Sequence, residues 1–251
     1  MNSLVVIFFT LFLFINTYAQ DTYLKGRGTT GQGLWSENNA GLASISKSSI
    51  GLSLENKFGL LELTHAQLRA AIPTKIGVIV GHLSSIGDHV YAQNDVGLTL
   101  ARSLSPHFFM AMTGRYLQHK ITPNSRQGLL MDVGIQYAIT TKVSTSAGLK
   151  NALRDSLEPS IMHTALQYRA SSKVTVAVDA QKIESLPLSL QAHIKYFPSP
   201  KVGLYAALSF PDTDNAFGMA FIWNYITIDT FMSIHHHLGI SPQMAITYRF
   251  E

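Results

Sequence analysis

From Ser48 almost to the C terminus, large apolar residues alternate with small or polar residues. The stretch 131–139 reads MDVGIQYAI and the stretch 244–250 reads MAITYRF, so every second side chain is bulky and apolar. Successive side chains of a β-strand point to opposite faces. The pattern therefore predicts strands with one apolar face and one small or polar face.

Two architectures fit such strands, and their lengths separate them. A β-sandwich turns its apolar face to a core, whereas a membrane barrel turns it to lipid and lines its lumen with the other face. Many of the alternating runs last nine to twelve residues. Transmembrane strands need about 9–11 residues, while ordinary strands average about 5–6. The lengths favour an all-β, transmembrane antiparallel barrel.

The connections between the strands differ at the two ends of the predicted barrel. Outer-membrane barrels have short periplasmic turns and longer extracellular loops. The short connections are 73–75, 105–107, 140–142, 171–173 and 199–201. The longer, polar connections are 87–94, 118–127, 153–159, 184–187 and 211–215. We assign the first set to the periplasm and the second set, still short for this class, to the extracellular side.

Fourteen strands fit between these connections, and an even count places both termini on the periplasmic side. Twelve strands is the alternative if two of the segments are loops. The predicted spans are 48–57, 60–72, 76–86, 94–104, 107–119, 128–139, 142–152, 160–170, 173–183, 188–197, 201–210, 215–225, 228–237 and 242–250. Aromatic residues near the short turns predict an interfacial girdle. They are Tyr137, Tyr168, Tyr196, Phe197, Trp223, Tyr225, Tyr248 and Phe250.

The N terminus predicts export. Residues 4–15 form an apolar run that is too short for a membrane-spanning helix, which needs about 20 residues. Small residues follow at the positions that a signal peptidase recognises, so we expect a signal peptide over 1–19 that is cleaved after Ala19. An uncleaved anchor helix is the alternative. The sequence has no cysteine, which excludes disulfides, thiolate metal sites and a lipoprotein anchor.

Residues 20–47 do not alternate and are rich in Gly, Ser and Asn, so they predict a leader or hatch ahead of the barrel at 48–251. Its motif residues are Gly31, Gly33, Trp35, Asn38, Asn39, Gly41 and Leu42. This motif resembles the N-terminal segment of FadL-like barrels, including the PorV and PorQ branch of Bacteroidota. The usual pattern there is Asn-Pro-Ala-Gly-Leu-Ala, and Asn39 stands at the proline position. The resemblance implies fourteen strands and a hatch inside the barrel.

The resemblance also implies two functions. FadL-like barrels are channels for hydrophobic or small solutes, and PorV-like barrels serve larger outer-membrane machines such as type IX protein secretion. Relatives of both kinds have large extracellular loops, which this chain lacks. We therefore expect an accessory subunit of a secretion or barrel-assembly machine, with a FadL-like channel as the alternative. The expected location is the cell outer membrane, and the expected partners are its lipids and other outer-membrane or periplasmic subunits.

Charged residues on the polar faces predict ion pairs inside the lumen, or a charged path through it. They are Asp132, Lys150, Arg169, Asp179, Lys195, Asp229 and Arg249, with Glu55 on the first strand. The sequence contains no Gly-x-Ser-x-Gly signature and no convergent nucleophile and base, so we expect no enzyme and no cofactor. The net charge of +4 is spread along the chain and predicts no nucleic-acid partner.

The run 235–237 is three consecutive histidines at an extracellular strand end. The first and third would face the same way and are able to hold a metal with a third ligand such as His89 or His119. The other interpretation is a polar, interfacial rim. We assign no metal ligand, and the sequence leaves this choice open.

Overall fold

The computed structural model describes residues 34–36, 38–211 and 215–250. These residues form a closed barrel of fourteen antiparallel strands, in which each strand pairs with its neighbours in the sequence. The strands are β1 (Ser49–Asn56), β2 (Thr64–Thr74), β3 (Gly77–Gly87), β4 (Tyr91–Ser105), β5 (Phe108–Ile121), β6 (Asn124–Ala138), β7 (Val143–Lys150), β8 (Ile161–Arg169), β9 (Val174–Ile183), β10 (Leu188–Ser199), β11 (Val202–Phe210), β12 (Asn215–Trp223), β13 (Ile226–His235) and β14 (Gly239–Arg249).

Pairing of the first and last strands closes the barrel. Ser49 lies opposite Arg249 and Glu55 lies opposite Gln243, with no shift of register between them. A closed sheet leaves no edge along this seam, as lipid requires, because the bilayer core has no water to satisfy free backbone groups. The predicted fold class and the count of fourteen strands are confirmed. The alternative of twelve strands is excluded.

The two faces of the wall have opposite character. Large apolar side chains such as Leu52, Leu98 and Ile194 point outwards and are exposed, while polar neighbours such as Ser53 and Thr99 are buried inside. In a water-soluble protein this arrangement would be unfavourable, since apolar surface is driven out of water. In a membrane the outer face contacts lipid tails instead. The outward apolar belt therefore identifies a membrane-embedded barrel.

The aromatic girdle needs one correction. Tyr196 is exposed on the outer face, but Phe197 is only half-exposed and packs edge-on against Tyr205 inside the barrel, with ring centroids 6.0 Å apart. Adjacent residues of a strand point to opposite faces, so these two cannot both meet lipid. Phe197 therefore belongs to the lumen.

The extracellular connections also differ from the prediction. Segments 87–94 and 118–127 were predicted as loops, but β4, β5 and β6 extend through most of them. Only residues 122–123 separate β5 from β6. Both faces of this hairpin tip are exposed, so polar residues are acceptable on either side and the alternation disappears. The longest described extracellular connection is 151–160.

The height of the wall is uneven. β6 pairs with β5 along its whole length, from Asn124 to Tyr137. β7 pairs with β6 only from Val133 to Ala138, which we call the β6–β7 seam. The extracellular half of β6 therefore has a strand on one side only. At the strand rise of about 3.3 Å per residue, the eight-residue β7 is much shorter than the fifteen-residue β6.

No helix among the described residues is long and apolar enough to cross a membrane. The predicted signal peptide at residues 1–19 lies outside the described residues, as does most of the predicted leader. The described part of that leader leads into a short 3₁₀ helix, Asn39–Ser44, which precedes β1.

Candidate functional site: the lumen and its plug

Residues 34–36 and 38–44 form a plug segment that is folded by its own side chains. Asn38 caps the 3₁₀ helix, because its Oδ1 accepts a hydrogen bond from Ala40 N at 3.0 Å. Ser36 Oγ donates to the carbonyl oxygen of Asn38 at 2.7 Å, and Ser44 Oγ donates to that of Gly41. Asn and Ser are favoured at such positions because they satisfy backbone groups that a short helix leaves free.

One end of the plug segment is attached to β14 and β2. Trp35 Nε1 donates to Thr247 Oγ1 at 2.8 Å, and Arg69 Nη1 donates to the carbonyl oxygen of Leu34 at 2.9 Å. The Arg69 guanidinium lies over the Trp35 ring, 5.7 Å from its centre, within the range of a cation–π contact. Trp35 is therefore held on two sides and is almost fully buried.

The other end is attached across the lumen. Asn38 Nδ2 donates to the backbone carbonyls of Ile135 on β6 and Ala147 on β7, at 2.9 and 3.1 Å. Asn39 Nδ2 donates to Thr113 Oγ1 on β5 at 2.7 Å. Contacts with β14 and β2 on one side and with β5, β6 and β7 on the other place the plug segment inside the barrel.

The wall is shaped to accept the plug segment. A side chain on Gly134 would bring its Cβ within 2.2 Å of Asn38 Oδ1. A side chain on Gly51 would bring its Cβ within 2.8 Å of the Trp35 ring. Much of the remaining wall around the plug consists of small residues. The plug segment and the wall together form a buried apolar cluster. The wall contributes five alanines to it, Ala71, Ala101, Ala111, Ala220 and Ala245, and the larger residues Val78, Val80, Tyr205 and Phe231.

The extracellular half of the lumen is built around Arg115 on β5. Its Nη1 lies 2.7 Å from Asp95 Oδ2 on β4, and its Nε lies 2.7 Å from Asp132 Oδ2 on β6. Its Nη2 lies 2.6 Å from Glu158 Oε2 in the connection between β7 and β8. His82 adds a contact of 3.0 Å to the other oxygen of Asp95. Three carboxylates thus share one guanidinium in a mostly buried cluster.

Residues 151–160, the inward loop, fold back into the barrel to reach this cluster. Asn151 N donates to Asp132 Oδ1 at 3.0 Å, and the Asn151 side chain bonds the loop backbone at Asp155 and Glu158. The loop crosses the inner face of β6 at Gly128, where an added Cβ would lie 2.8 Å from both Asp155 Oδ2 and Leu157 Cδ1. The loop therefore occupies space that the glycine leaves free.

The structure places the predicted leader residues as follows. Gly31 and Gly33 lie outside the described residues. Trp35, Asn38, Gly41 and Leu42 are buried in the lumen, while Asn39 is half-buried. At the position where the resembled family has proline, the Asn39 side chain makes the bond to Thr113 that a proline could not make.

The predicted lumen charges divide into two groups. Asp132, Lys150, Asp179 and Asp229 are buried inside the barrel, Glu55 is buried on β1, and Lys195 is half-buried. Asp179 Oδ2 lies 2.6 Å from His193 Nε2, and Asp132 forms an ion pair with Arg115. Arg169 and Arg249 instead lie exposed at the periplasmic rim, because each is the last residue of its strand. These two are therefore not enclosed by the lumen.

The sequence reasoning missed Arg115, Asp95 and Glu158 as lumen groups. Alternation within β4 and β5 puts the first two on the inner face, so a signal was present for them. Glu158 carries no such signal, since it lies in a loop and its burial depends on the fold of that loop.

The histidine run serves the turn between β13 and β14. His235 Nδ1 accepts hydrogen bonds from the backbone N–H of His237 and Leu238, at 3.2 and 3.1 Å. Within the described parts of the chain, no group of three or more His, Asp or Glu side chains is arranged to hold a metal ion.

No protein-family model and no curated protein sequence matches this chain. Solved structures with the same fold include a TodX deletion mutant described as a monoaromatic hydrocarbon channel, with TM-score 0.62 and 10% identity over 90% of this chain and 99% of that one. The Pseudomonas putida toluene transporter TodX has TM-score 0.59 and 10% identity over 84% and 90%. The Acinetobacter baumannii outer membrane protein Omp33 has TM-score 0.54 and 9% identity over 81% and 98%.

At these identities the likeness concerns the fold. Together with the apolar outer belt and the closed sheet, it defines the chain as a β-barrel of the outer membrane. Of these neighbours, TodX is described as a transporter, its deletion mutant as a channel and Omp33 as an outer membrane protein. In this barrel the lumen contains a plug segment and an inward loop.

Proposed function

We propose that the protein is a plugged channel for small apolar solutes and that the plug segment is displaced for passage. One observation carries this proposal: a separate segment, rather than the wall, fills the apolar part of the lumen. Small barrels usually fill their interior with side chains from the wall. Here the wall around Trp35 and Leu42 is rich in alanine, and Gly51 leaves room for the Trp35 ring.

Displacement of the plug segment would leave a passage of apolar character. Its lining would combine the alanines with Val78, Val80, Tyr205 and Phe231. Such a surface suits apolar solutes, because their transfer onto it requires no desolvation of polar groups. Water that fills the space vacated by the plug segment would carry potassium and chloride ions, so ion conductance reports the opening. The residues that anchor the plug do so by individual hydrogen bonds, and each contributes only about 0.5–1.5 kcal/mol. Displacement also withdraws Trp35 and Leu42 from the apolar cluster, which costs about 1.5–3 kcal/mol for a side chain of leucine size, so an apolar solute has to take their place.

The structures with the same fold also support a channel for apolar solutes, although the proposal does not depend on them. TodX is described as a toluene transporter, and its deletion mutant as a monoaromatic hydrocarbon channel. The leader motif resembles that of FadL-like barrels, among which channels for hydrophobic solutes occur. Toluene is accordingly a suitable probe for uptake by this protein.

The test uses a plug variant that combines Trp35→Ala with Asn38→Ala. It removes the bonds to Thr247, Ile135 and Ala147 while leaving the wall intact. In planar bilayers with potassium chloride we expect the plug variant to conduct and the wild-type protein to stay closed. In cells, expression of the wild-type protein should raise toluene uptake.

The matched control makes the same two changes on the outer surface, Trp223→Ala with Asn94→Ala, and should behave like the wild-type protein. Heat-dependent migration in gels checks that each barrel is folded. A folded plug variant that never conducts, together with unchanged toluene uptake, would contradict the proposal. The single Asn38→Ala variant provides a milder perturbation if the double variant does not fold.

The second candidate function is an accessory subunit of a larger outer-membrane machine, such as one for type IX secretion or barrel assembly. It is favoured by the uneven wall, since residues 124–130 of β6 have no strand beside them on the β7 side within the described residues. An unpaired edge offers backbone groups to an extended segment of another protein. Purification from native membranes should then bring a partner in equal amounts. Purification of the barrel alone would contradict this function.

A further inference from the structure

We propose that the inward loop, residues 151–160, is a second gate in series with the plug segment, and that the ion pair between Glu158 and Arg115 is its latch. The inference rests on the proposed channel function. The plug segment obstructs the apolar part of the lumen, whereas the inward loop crosses the inner face of β6 in the extracellular half. A solute entering from outside would meet the loop first.

The latch is a charged contact that the loop itself supplies. Glu158 Oε2 lies 2.6 Å from Arg115 Nη2, and the Glu158 side chain is 2% exposed. A carboxylate is taken out of water only when a cation and hydrogen bonds compensate it. Pairing with Arg115 therefore helps to hold Glu158 inside the barrel.

Among the three carboxylates on Arg115, Glu158 is the one that a loop carries. Asp95 and Asp132 lie on β4 and β6, which are fixed by their ladders. Glu158 lies in the connection between β7 and β8, which no ladder fixes. Movement of this loop therefore separates Glu158 from Arg115, while the two aspartates keep the guanidinium in place.

The loop has strained backbone where it changes direction. Arg154 has a φ angle of 55°, in the left-handed region that residues other than glycine and asparagine seldom adopt, and Asn151 turns the chain at a φ angle of 48°. Such conformations persist only when surrounding contacts hold them, and they are common at segments that switch. The contacts that hold this loop include the latch, the bonds of Asn151 and a hydrogen bond of 2.7 Å from Ala152 N to the carbonyl oxygen of Met131 on β6. Loss of the latch therefore favours an outward position of the loop.

The first test measures the position of the loop without any transport assay. The chain has no cysteine, so Gly128→Cys with Leu157→Cys gives a unique pair. The Cβ position on Gly128 lies 2.8 Å from Leu157 Cδ1, close enough for a disulfide after replacement. We expect oxidation to cross-link the folded barrel in high yield. Adding Glu158→Gln should lower that yield, whereas adding Glu184→Gln, an exposed glutamate of the β9–β10 connection, should not.

The second test separates the gate from the plug by conductance. Four proteins are compared in planar bilayers: wild type, the plug variant, Glu158→Gln, and the plug variant with Glu158→Gln. Two barriers in series predict that the combined variant is open more often than the plug variant, on the order of tenfold, which corresponds to about 1.4 kcal/mol. The disulfide pair introduced into the plug variant should lower conductance until a reductant is added.

The outcomes distinguish the two proposals. If the plug variant conducts and neither Glu158→Gln nor the disulfide changes its conductance, the gate is overturned while the channel stands. If the cysteine pair does not cross-link in the folded barrel, the gate is also overturned, because the loop is then not at Gly128. If none of the four proteins conducts although cross-linking behaves as expected, the channel function fails and the gate fails with it.

Discussion

The indole N–H of Trp35 donates to the hydroxyl of Thr247 at 2.8 Å, joining two residues that are 212 positions apart in the chain. This bond connects the plug segment to the last strand, and the last strand in turn pairs with β1 to close the barrel. The plug segment is thus attached to the element that completes the wall. Its attachment is therefore expected to form only when closure is complete.

Tryptophan fluorescence should report the plug segment directly, because the chain has only two tryptophans. Trp35 is 1% exposed and Trp223 is 73% exposed. With Trp223→Phe, we expect the remaining emission to be blue-shifted and poorly quenched by aqueous acrylamide. With Trp35→Phe, the remaining emission should be quenched by brominated lipid. Strong acrylamide quenching of Trp35 in the folded barrel would show that the plug segment is not inside.

Gly134→Ala should loosen the plug segment. The new Cβ would lie 2.2 Å from Asn38 Oδ1, so Asn38 must leave the β6–β7 seam or the strand must shift. Overpacking of this kind costs about 1–3 kcal/mol. We expect faster proteolysis of the plug segment and a lower unfolding temperature in detergent.

The matched control for Gly134→Ala is Gly114→Ala on β5, where an added Cβ meets nothing within 4 Å. That variant should keep the proteolysis rate and unfolding temperature of the wild-type barrel. Equal behaviour of the two variants would contradict the close approach of Asn38 to Gly134.

Ile194→Lys should destabilise the barrel strongly, because Ile194 lies on the outer face in the middle of β10. A lysine facing lipid near the bilayer midplane costs about 2–4 kcal/mol. The neighbouring residue on the same strand is a natural lysine, Lys195, which faces the lumen. Urea unfolding in lipid vesicles measures the difference in free energy.

The control for this assignment of faces is Gln191→Lys. It places the same new charge on the inner face of β10, where the Gln191 side chain donates a hydrogen bond to Ser209 Oγ. We expect its free energy of unfolding to change by much less than that of Ile194→Lys. If Gln191→Lys were the more damaging change, the assignment of faces on β10 would be reversed.

Asp88 should titrate below its ordinary range. It lies in the connection between β3 and β4, and hydrogen bonds from the backbone N–H groups of Tyr91 and Val90 lower the pKa of its carboxyl from 3.8. A lowered pKa in the folded state means that the charged form stabilises the turn at pH values above 3.8. This stabilisation is lost as the pH falls through the lower, folded-state pKa. Carboxyl chemical shifts measured by NMR in micelles should give a midpoint below 3.8, and a midpoint above 3.8 would contradict the turn geometry.

Much of the wall was predictable because the membrane imposes a simple rule on each strand. Every second residue contacts lipid, so β6, β8, β9 and β14 could be located and their faces assigned from alternation alone. Alternation is required only in the part of a strand that contacts lipid. Above the membrane, at the tip of the β5–β6 hairpin, both faces are exposed and the strands continued beyond their predicted ends.

The contacts inside the lumen were less predictable, because contact with lipid does not determine them. The leader was recognisable as a separate segment from its glycines and its Asn-Asn-Ala-Gly-Leu-Ala motif, but nothing local indicates that Asn38 bonds the carbonyls of Ile135 and Ala147. Glu158 likewise reads as an ordinary loop carboxylate. Its partner Arg115 lies 43 residues earlier in the chain.

The sequence by itself predicted an outer-membrane barrel, with fourteen strands favoured and twelve as the alternative, because alternation and turn spacing are local properties that the bilayer enforces on each strand separately. The closed sheet of the structure decided for fourteen. Only the tertiary structure decided how the lumen is filled. Closure of the barrel brings β14, β2, β5 and β6 around one plug segment, and it brings three carboxylates from separate elements onto Arg115. These contacts join distant parts of the chain, so no local pattern of residues encodes them.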